Sequence, residues 1–280
     1  MKIIDGKKIA ENLRNTIAEE VKQFSRPPGL AVILVGDDEA SQVYVKNKSK
    51  ACVEVGFYSD QIHKSANITE EELLSEVNRL NENQTIDGIL VQLPLPSHID
   101  SNRIIEAIVP EKDVDGFSSE NIGKLMQNKP FISPCTPYGI MKMLASIKYE
   151  LKGKDCVIIG ASNIVGRPMS MELLNAGATV LVCHKHTKDI TDKVKTADVV
   201  IAAAGVAHLV KEDWVKEGAV VIDVGINRLK DGSLAGDVDF NAVKDKASAI
   251  SPVPGGVGPM TIAVLLENTL PAYKARLIDS

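Results

Sequence analysis

The sequence predicts an α/β protein made of two doubly wound α/β domains around a cleft. Three observations carry that prediction. Runs such as "LAVILVG" (30–36), apolar throughout, and "ADVVIAAAG" (197–205) read as strands, the first as a parallel strand covered on both faces. They alternate with amphipathic segments, the strand–helix–strand grammar of a parallel sheet. That grammar runs twice, in a chain of 280 residues long enough for two ordinary cores.

Taken in order, residues 6–24 place Ile9, Leu13, Ile17, Val21 and Phe24 at spacings of four and three, one face of a helix stopped by "RPPG". The strand at 30–36 follows, then a helix containing "SQVYVKNKSKAC" (41–52) and a short strand near 57–63. "TEEELLSEVNRL" (69–80) opens with Thr69 and Glu72, a capping box. "IDGILVQLPLP" (86–96) is a third strand, stopped by its prolines.

The second round begins after a helix in 137–148. Strands are expected at 155–160, 178–183, 197–205 and 219–225, with a helix near 166–176 after the first. A last helix near 260–270 packs back on the first domain. Residues 1–136 with 261–280 then form one domain, and 137–260 the other.

Composition narrows the function classes. The chain is 44% hydrophobic and 25% charged, as in soluble globular proteins, and its net charge of −5 argues against nucleic acid or an anionic membrane as partner. The N-terminus "MKIIDGKKIAENLR" is too charged for a signal peptide, and no run approaches the ~18 apolar residues of a membrane span. Cys52, Cys135, Cys156 and Cys183 lie far apart without a CxxC pair, which reads as inert thiols in a reducing cytoplasm.

Four stretches could carry chemistry. In "SQVYVKNKSKAC" a helix stacks Tyr44 on Lys48, four residues apart, and turns Lys46 and Lys50 about 200° away. Taken alone, the three lysines are a solvated face. "VIIGASNIVGRPMS" (157–170) is strand, glycine turn and helix: Gly160 ends the strand and Gly166 opens the helix, a place where backbone N–H groups cradle a phosphate. Its G-x5-G spacing is equally that of a plain tight turn, but its position at the head of a β-α-β-α-β run makes a Rossmann-like dinucleotide domain the stronger reading.

Where an NAD-binding fold carries an acid after its second strand, this chain has His184, Lys185 and His186, which suits a 2′-phosphate and therefore NADP. No acid or cysteine stands at ligand spacing around the two histidines, so no metal is expected. Gln92 ends a strand in "GILVQLPLP", where working residues of open parallel sheets stand, and "PEKDVDGF" brings Asp113 and Asp115 into a loop. "SPVPGGVGPMT" (251–261) packs three prolines and three glycines, a stiff connector or backbone that meets a flat ligand closely.

Together "SQVYVKNKSKAC", "VQLPLP", "PEKDVDGF", "PCTPYGI", "GASNIVGRPMS", "DVGINRL", "GDVDF" and "PVPGGVGPMT" resemble, in order and over nearly the whole chain, the bifunctional methylenetetrahydrofolate dehydrogenase/methenyltetrahydrofolate cyclohydrolase family. The resemblance sets Lys48 apart from Lys46 and Lys50 as the catalytic lysine, partnered by Tyr44, Gln92 and Asp115. It implies a folate site that also uses Pro254, Gly255 and Gly256. It further implies an NADP site at Gly160, Ala161, Ser162, Gly166, Arg167, His184, Lys185 and Ile226. Many members carry an arginine where this chain has Ala161, which shifts the phosphate contact to Lys185, its neighbours or Arg167.

The expected activity is oxidation of 5,10-methylenetetrahydrofolate with NADP+, then hydrolysis to 10-formyltetrahydrofolate, by a cytoplasmic homodimer acting on folates that include polyglutamylated forms. A monofunctional NADP dehydrogenase and a non-catalytic nucleotide sensor are the alternatives. The first would lack the Lys48/Gln92 pair, and the second would have no use for it.

Overall fold

The computed structural model describes residues 1–278. The chain divides into two compact units, one of residues 1–10 with 136–261 and the other of residues 11–135 with 262–280. It opens with strand β1 (Lys2–Ile3) and helix α1 (Gly6–Val21), which ends three residues earlier than the apolar periodicity reaches. The first α/β round is β2 (Gly29–Val35), α2 (Glu39–Val55), β3 (Tyr58–Lys64), α3 (Glu70–Glu82) and β4 (Gly88–Val91). Two short helices the sequence reading did not separate follow, α4 (Ser101–Ala107) and α5 (Ser119–Met126), then α6 (Cys135–Ser146).

The second round is β5 (Asp155–Ile159), α7 (Gly166–Asn175), β6 (Thr179–Cys183), α8 (Ile190–Val194), β7 (Val199–Ala202) and β8 (Val220–Asp223). A small antiparallel pair, β9 (Asn227–Arg228) and β10 (Leu234–Ala235), precedes α9 (Phe240–Val243), β11 (Ala249–Ile250) and the long α10 (Val257–Ile278).

In the unit of residues 11–135 and 262–280 the sheet is parallel, in the order β3-β2-β4. Every residue of β2 is buried, as the uninterrupted apolar run required. Ala31, Ile33 and Val35 meet Leu73, Val77 and Leu80 of α3 and Ile104 of α4 on one face. By alternation Leu30, Val32 and Leu34 point to the other face. The capping box that starts α3 closes in both directions: the Glu72 amide donates to Thr69 Oγ1 at 3.2 Å and the Thr69 amide to Glu72 Oε2 at 2.9 Å.

The other unit holds a six-stranded parallel sheet in the order β1-β11-β8-β7-β5-β6. Its core joins Val157, Ile159, Val200, Val221 and Ile250 to Val194, Val210 and Val243. Residues 1–10, grouped with the first domain by the sequence reading, belong here because β1 pairs in parallel with β11, Lys2 opposite Ala249. The two-residue length of β1 hides it from any periodicity. β7 is shorter than its apolar run, because the chain beyond Ala202 turns into a loop whose amides bond the Asp237 carboxylate.

Candidate functional site

Helix α2 presents Lys48 from an unusual position. Its buried stripe runs Ser41, Val45, Lys48, Cys52 and Val55, steps of three and four, so the lysine stands where an aliphatic residue would ordinarily pack. Lys48 is 7% exposed, whereas Lys46 and Lys50 are exposed, Lys50 lying 4.0 Å from Glu54 one turn on. The helix is fixed at both ends. Asp38 accepts from the Ser41 amide at 2.8 Å, and Gly56 closes it in the left-handed region at φ 80°.

The Lys48 amine donates to Gln92 Oε1 at 3.0 Å, and Gln92 Nε2 donates to the Leu93 carbonyl at 2.7 Å. The second bond settles which way the amide faces: its nitrogen is used on Leu93, so its oxygen meets the lysine. Gln92 follows directly on β4, at the C-terminal end of the sheet, as its place in "GILVQLPLP" predicted. Tyr44 lies one turn before Lys48, half-buried, with burial pushing its phenol above the ordinary value.

Asp115 comes from the loop after Asp113, which makes a parallel bridge with Ile89 of β4. The Asp113 carboxylate is the anchor of this loop. It accepts from the Gly116 amide at 3.1 Å, the Ser118 amide at 2.8 Å and Asn121 Nδ2 at 3.0 Å. Gly116 sits at φ +75°, and a Cβ there would stand 2.8 Å from the Pro134 nitrogen, so both its conformation and its packing require glycine. Burial pushes the Asp115 carboxyl above its usual range; Lys48 opposes that shift and Asp113 adds to it.

Cys135, which the sequence reading left without a role, stands beside Asp115. Its thiol donates to the Val114 carbonyl at 3.2 Å, and burial followed by the Asp115 charge pushes it well above the ordinary thiol value. Asn268 of α10 donates to the Val114 carbonyl at 2.9 Å and the Ser133 carbonyl at 2.8 Å, tying both chain segments around Asp115 together. A pocket of about 10 Å³, room for a single water, is lined by Ile89, Leu93, Asp113, Asp115 and Phe117. Tyr44, Lys48, Gln92 and Asp115 thus belong to one unit of the protein.

Pro254, Gly255 and Gly256 belong to the other unit, just before α10. The Lys7 amide donates to the Gly255 carbonyl at 2.9 Å, and a Cβ on Gly6 would come 1.9 Å from the Gly256 oxygen. The glycine run is therefore at least partly a matter of close packing on the start of α1.

The turn between β5 and α7 also belongs to that unit. Gly160 has φ +127°, and a Cβ there would meet the Ala203 carbonyl oxygen at 2.0 Å. Ser162 Oγ accepts from the Val165 amide at 3.2 Å, and Arg167 Nε donates to the Ala161 carbonyl at 3.3 Å. Helix α7 starts at Gly166 with no acid in its first turn; Ser162 Oγ also accepts from the Gly166 amide at 3.4 Å and the Ser162 carbonyl from the Arg167 amide at 3.0 Å, so Ser162 closes the turn onto the positive end of the helix. After β6, His184, Lys185 and His186 are all exposed. His184 Nδ1 accepts from the His186 amide at 3.2 Å, leaving Nε2 as the outward donor. Ile226 is 45% exposed just beyond β8. Among the described residues no group of His, Cys, Asp and Glu could hold a metal ion, and no helix is long and apolar enough to cross a membrane.

Comparison with known proteins covers nearly the whole chain. Residues 4–115 match the tetrahydrofolate dehydrogenase/cyclohydrolase catalytic domain, and residues 134–277 match the tetrahydrofolate dehydrogenase/cyclohydrolase NAD(P)-binding domain. The bifunctional protein FolD of Ruthia magnifica subsp. Calyptogena magnifica is 62% identical over 277 residues, covering 99% of this chain and 100% of that one. The crystal structure of the bifunctional FolD methylenetetrahydrofolate dehydrogenase/cyclohydrolase from Campylobacter jejuni superposes with a TM-score of 0.97 at 53% identity, over 99% of each chain. The Trypanosoma brucei enzyme, complexed with NADP cofactor and inhibitor, gives 0.94 at 41% identity over 98% of each chain.

Proposed function

The chain belongs to the tetrahydrofolate dehydrogenase/cyclohydrolase family, and on that premise we propose how its residues divide the two reactions. The protein oxidises 5,10-methylenetetrahydrofolate to 5,10-methenyltetrahydrofolate with NADP+ and hydrolyses that product to 10-formyltetrahydrofolate. The observation that carries the assignment of residues is Lys48, a buried amine that is aimed at the Gln92 carboxamide and whose charge acts on the half-buried Asp115 carboxyl. Placing an amine in a helix's buried stripe costs stability unless it is compensated, which argues for a use other than packing.

NADP+, when bound, supplies the hydride acceptor. The phosphate turn of Gly160, Ala161, Ser162, Gly166 and Arg167 would hold its phosphates, with His184 and Lys185 toward the 2′-phosphate and Ile226 against the cofactor. The folate's own nitrogens stabilise the cation left by oxidation, so the first reaction needs orientation more than an acid or base. Tyr44 stacks on the folate ring system, and Asp115 takes the donor edge of the pterin.

The second reaction needs protons moved. Water adds to the methenyl carbon, and Lys48 takes a proton from it as the C–O bond forms. The adduct collapses as one C–N bond breaks: the departing nitrogen takes the proton held by Lys48, and the adduct's hydroxyl loses its own proton to solvent as the formyl C=O forms. Gln92 uses one amine hydrogen and so fixes the direction of the rest without adding charge. Exposed Lys46 and Lys50 on α2 suit the acidic tail of a polyglutamylated folate. A cytoplasmic homodimer is part of the same proposal.

The direct test supplies the purified protein with 5,10-methylenetetrahydrofolate and NADP+ and follows NADPH, the methenyl species and 10-formyltetrahydrofolate. All three should appear in sequence. Accumulation of the methenyl species at its spontaneous rate of decay would leave a monofunctional dehydrogenase, and no NADPH would remove the enzyme assignment.

A further inference from the structure

Two buried carboxylates stand in series, Asp223 at the end of β8 and Asp237 after β10, and neither has a part in the chemistry above. Asp237 is 0% exposed, and its carboxylate accepts four N–H groups. Oδ2 takes the amides of Ala204 at 2.6 Å and Gly205 at 2.8 Å; Oδ1 takes the Val206 amide and Asn227 Nδ2, each at 2.9 Å. The Asp237 amide donates in turn to Asp223 Oδ1 at 2.9 Å, and Asp223 Oδ2 accepts from the Val238 amide at 2.9 Å. The packing admits no side chain nearby: a Cβ on Gly225 would lie 2.1 Å from Asp237 Oδ1, and one on Gly236 would lie 1.8 Å from Asp223 Oδ2.

Ala204, Gly205 and Val206 are themselves exposed, and they follow the end of β7. Their loop adjoins the phosphate turn, since Ala203 is the residue against which Gly160 has no room for a Cβ. Successive backbone amides in such a turn ordinarily form an anion-binding concavity. Here Asp237 consumes all three, so this loop has no amides left for a phosphate and suits an uncharged or cationic group instead.

The sheet order says which part of a dinucleotide that is. From β5 the chain goes to β6 on one side and then to β7 on the other, a topological switch point. The adenosine half turns toward the strand after the phosphate turn, β6. The remaining half therefore turns toward β7 and β8. We propose that Asp237 is a positioning residue: it does not touch the cofactor, but fixes the 204–206 loop in the shape that receives the nicotinamide half of NADP+. This inference rests on the NADP-binding reading given above.

The test uses the full-length protein and Asp237→Asn, which keeps the shape but turns one acceptor into a donor facing backbone N–H groups. Binding of NADP+ and of 2′,5′-ADP, the adenosine half alone, is measured by titration calorimetry, together with cyclohydrolase turnover. The expected result is a loss of NADP+ affinity of about tenfold or more, the scale of a charge-assisted hydrogen bond. Affinity for 2′,5′-ADP and cyclohydrolase kcat should stay within about twofold. Equal losses for both ligands, as from a merely structural residue, or no loss for either, would overturn the proposal. Wild-type protein that binds neither ligand would instead overturn the NADP reading itself. If Asp237→Asn does not fold, Asn227→Ala removes one of the four donors and should give the same pattern at smaller size; an unchanged NADP+ affinity there would count against Asp237.

Discussion

Lys48 and Lys185 carry the same amine under opposite conditions. Lys48 is 7% exposed, anchored in a helix, and directed at Gln92 Oε1 at 3.0 Å. Lys185 is exposed in a turn whose shape is kept by its neighbours, His184 accepting from the His186 amide. A buried, directed amine can take part in a proton transfer because its geometry is fixed before substrate arrives. An exposed amine is a hydrated point charge, fit to attract a phosphate but not to orient it. On the proposed roles, the difference separates chemistry from binding within one side-chain type.

The largest effect that would break this contrast lies at Lys48. Lys48→Met should lower cyclohydrolase turnover by a factor of order 10² or more, the scale of a positioned base. Dehydrogenase turnover should fall less, because that step does not formally need the proton. Comparable losses in both, measured on the two isolated half-reactions, would make Lys48 a folate-binding residue only.

Next in size is Lys185. Lys185→Ala should cut the preference for NADP+ over NAD+, read as the ratio of kcat/KM values, by about tenfold, since one charge-assisted hydrogen bond contributes about 1.5–3 kcal/mol. With Ala161 in place of an arginine, His184 and Arg167 are the other donors proposed for that phosphate; an unchanged ratio would move the contact to them. A smaller, salt-dependent effect is expected at the face of α2. Polyglutamylated folate should have a KM a few-fold below that of the monoglutamate at low salt, and the advantage should shrink as salt rises. A KM indifferent to tail length and salt would remove Lys46 and Lys50 from substrate binding.

The smallest effect concerns stability. Burial raises the Asp223 carboxyl to about 6, against the three backbone amides that favour its charge. A folded-state value above the unfolded one of ~3.9 adds stability that is full below the unfolded value and lost as pH rises through about 6. Asn does not titrate, so the stability of wild type relative to Asp223→Asn should grow as pH falls from 7 toward 5. Denaturant unfolding at several pH values measures this, and a constant difference would mean that Asp223 is already ionised throughout.

The long, regular features were legible in the sequence. The all-apolar β2, the Thr69–Glu72 box and the placing of Tyr44 and Lys48 one turn apart on a helix followed from periodicity and capping chemistry alone. What singled out Lys48 from Lys46 and Lys50 was order among motifs; the burial difference needed the helix in place. β1 escaped because two residues have no period, and its pairing with β11 joins chain positions nearly the whole sequence apart. Cys135 and Asp237 escaped for a related reason. Their partners, Val114 for one and Ala204 to Val206 for the other, are fixed by loop geometry that residue spacing does not encode.

The central claim is that one lysine of three on α2 performs proton transfer. It is tested most directly by measuring hydrolysis of methenyltetrahydrofolate, as the monoglutamate, by Lys46→Met, Lys48→Met and Lys50→Met side by side. The account predicts kcat near wild type for the two exposed positions and a loss of order 10² or more at Lys48 alone. Equal losses at all three lysines, or full activity in Lys48→Met, would contradict it.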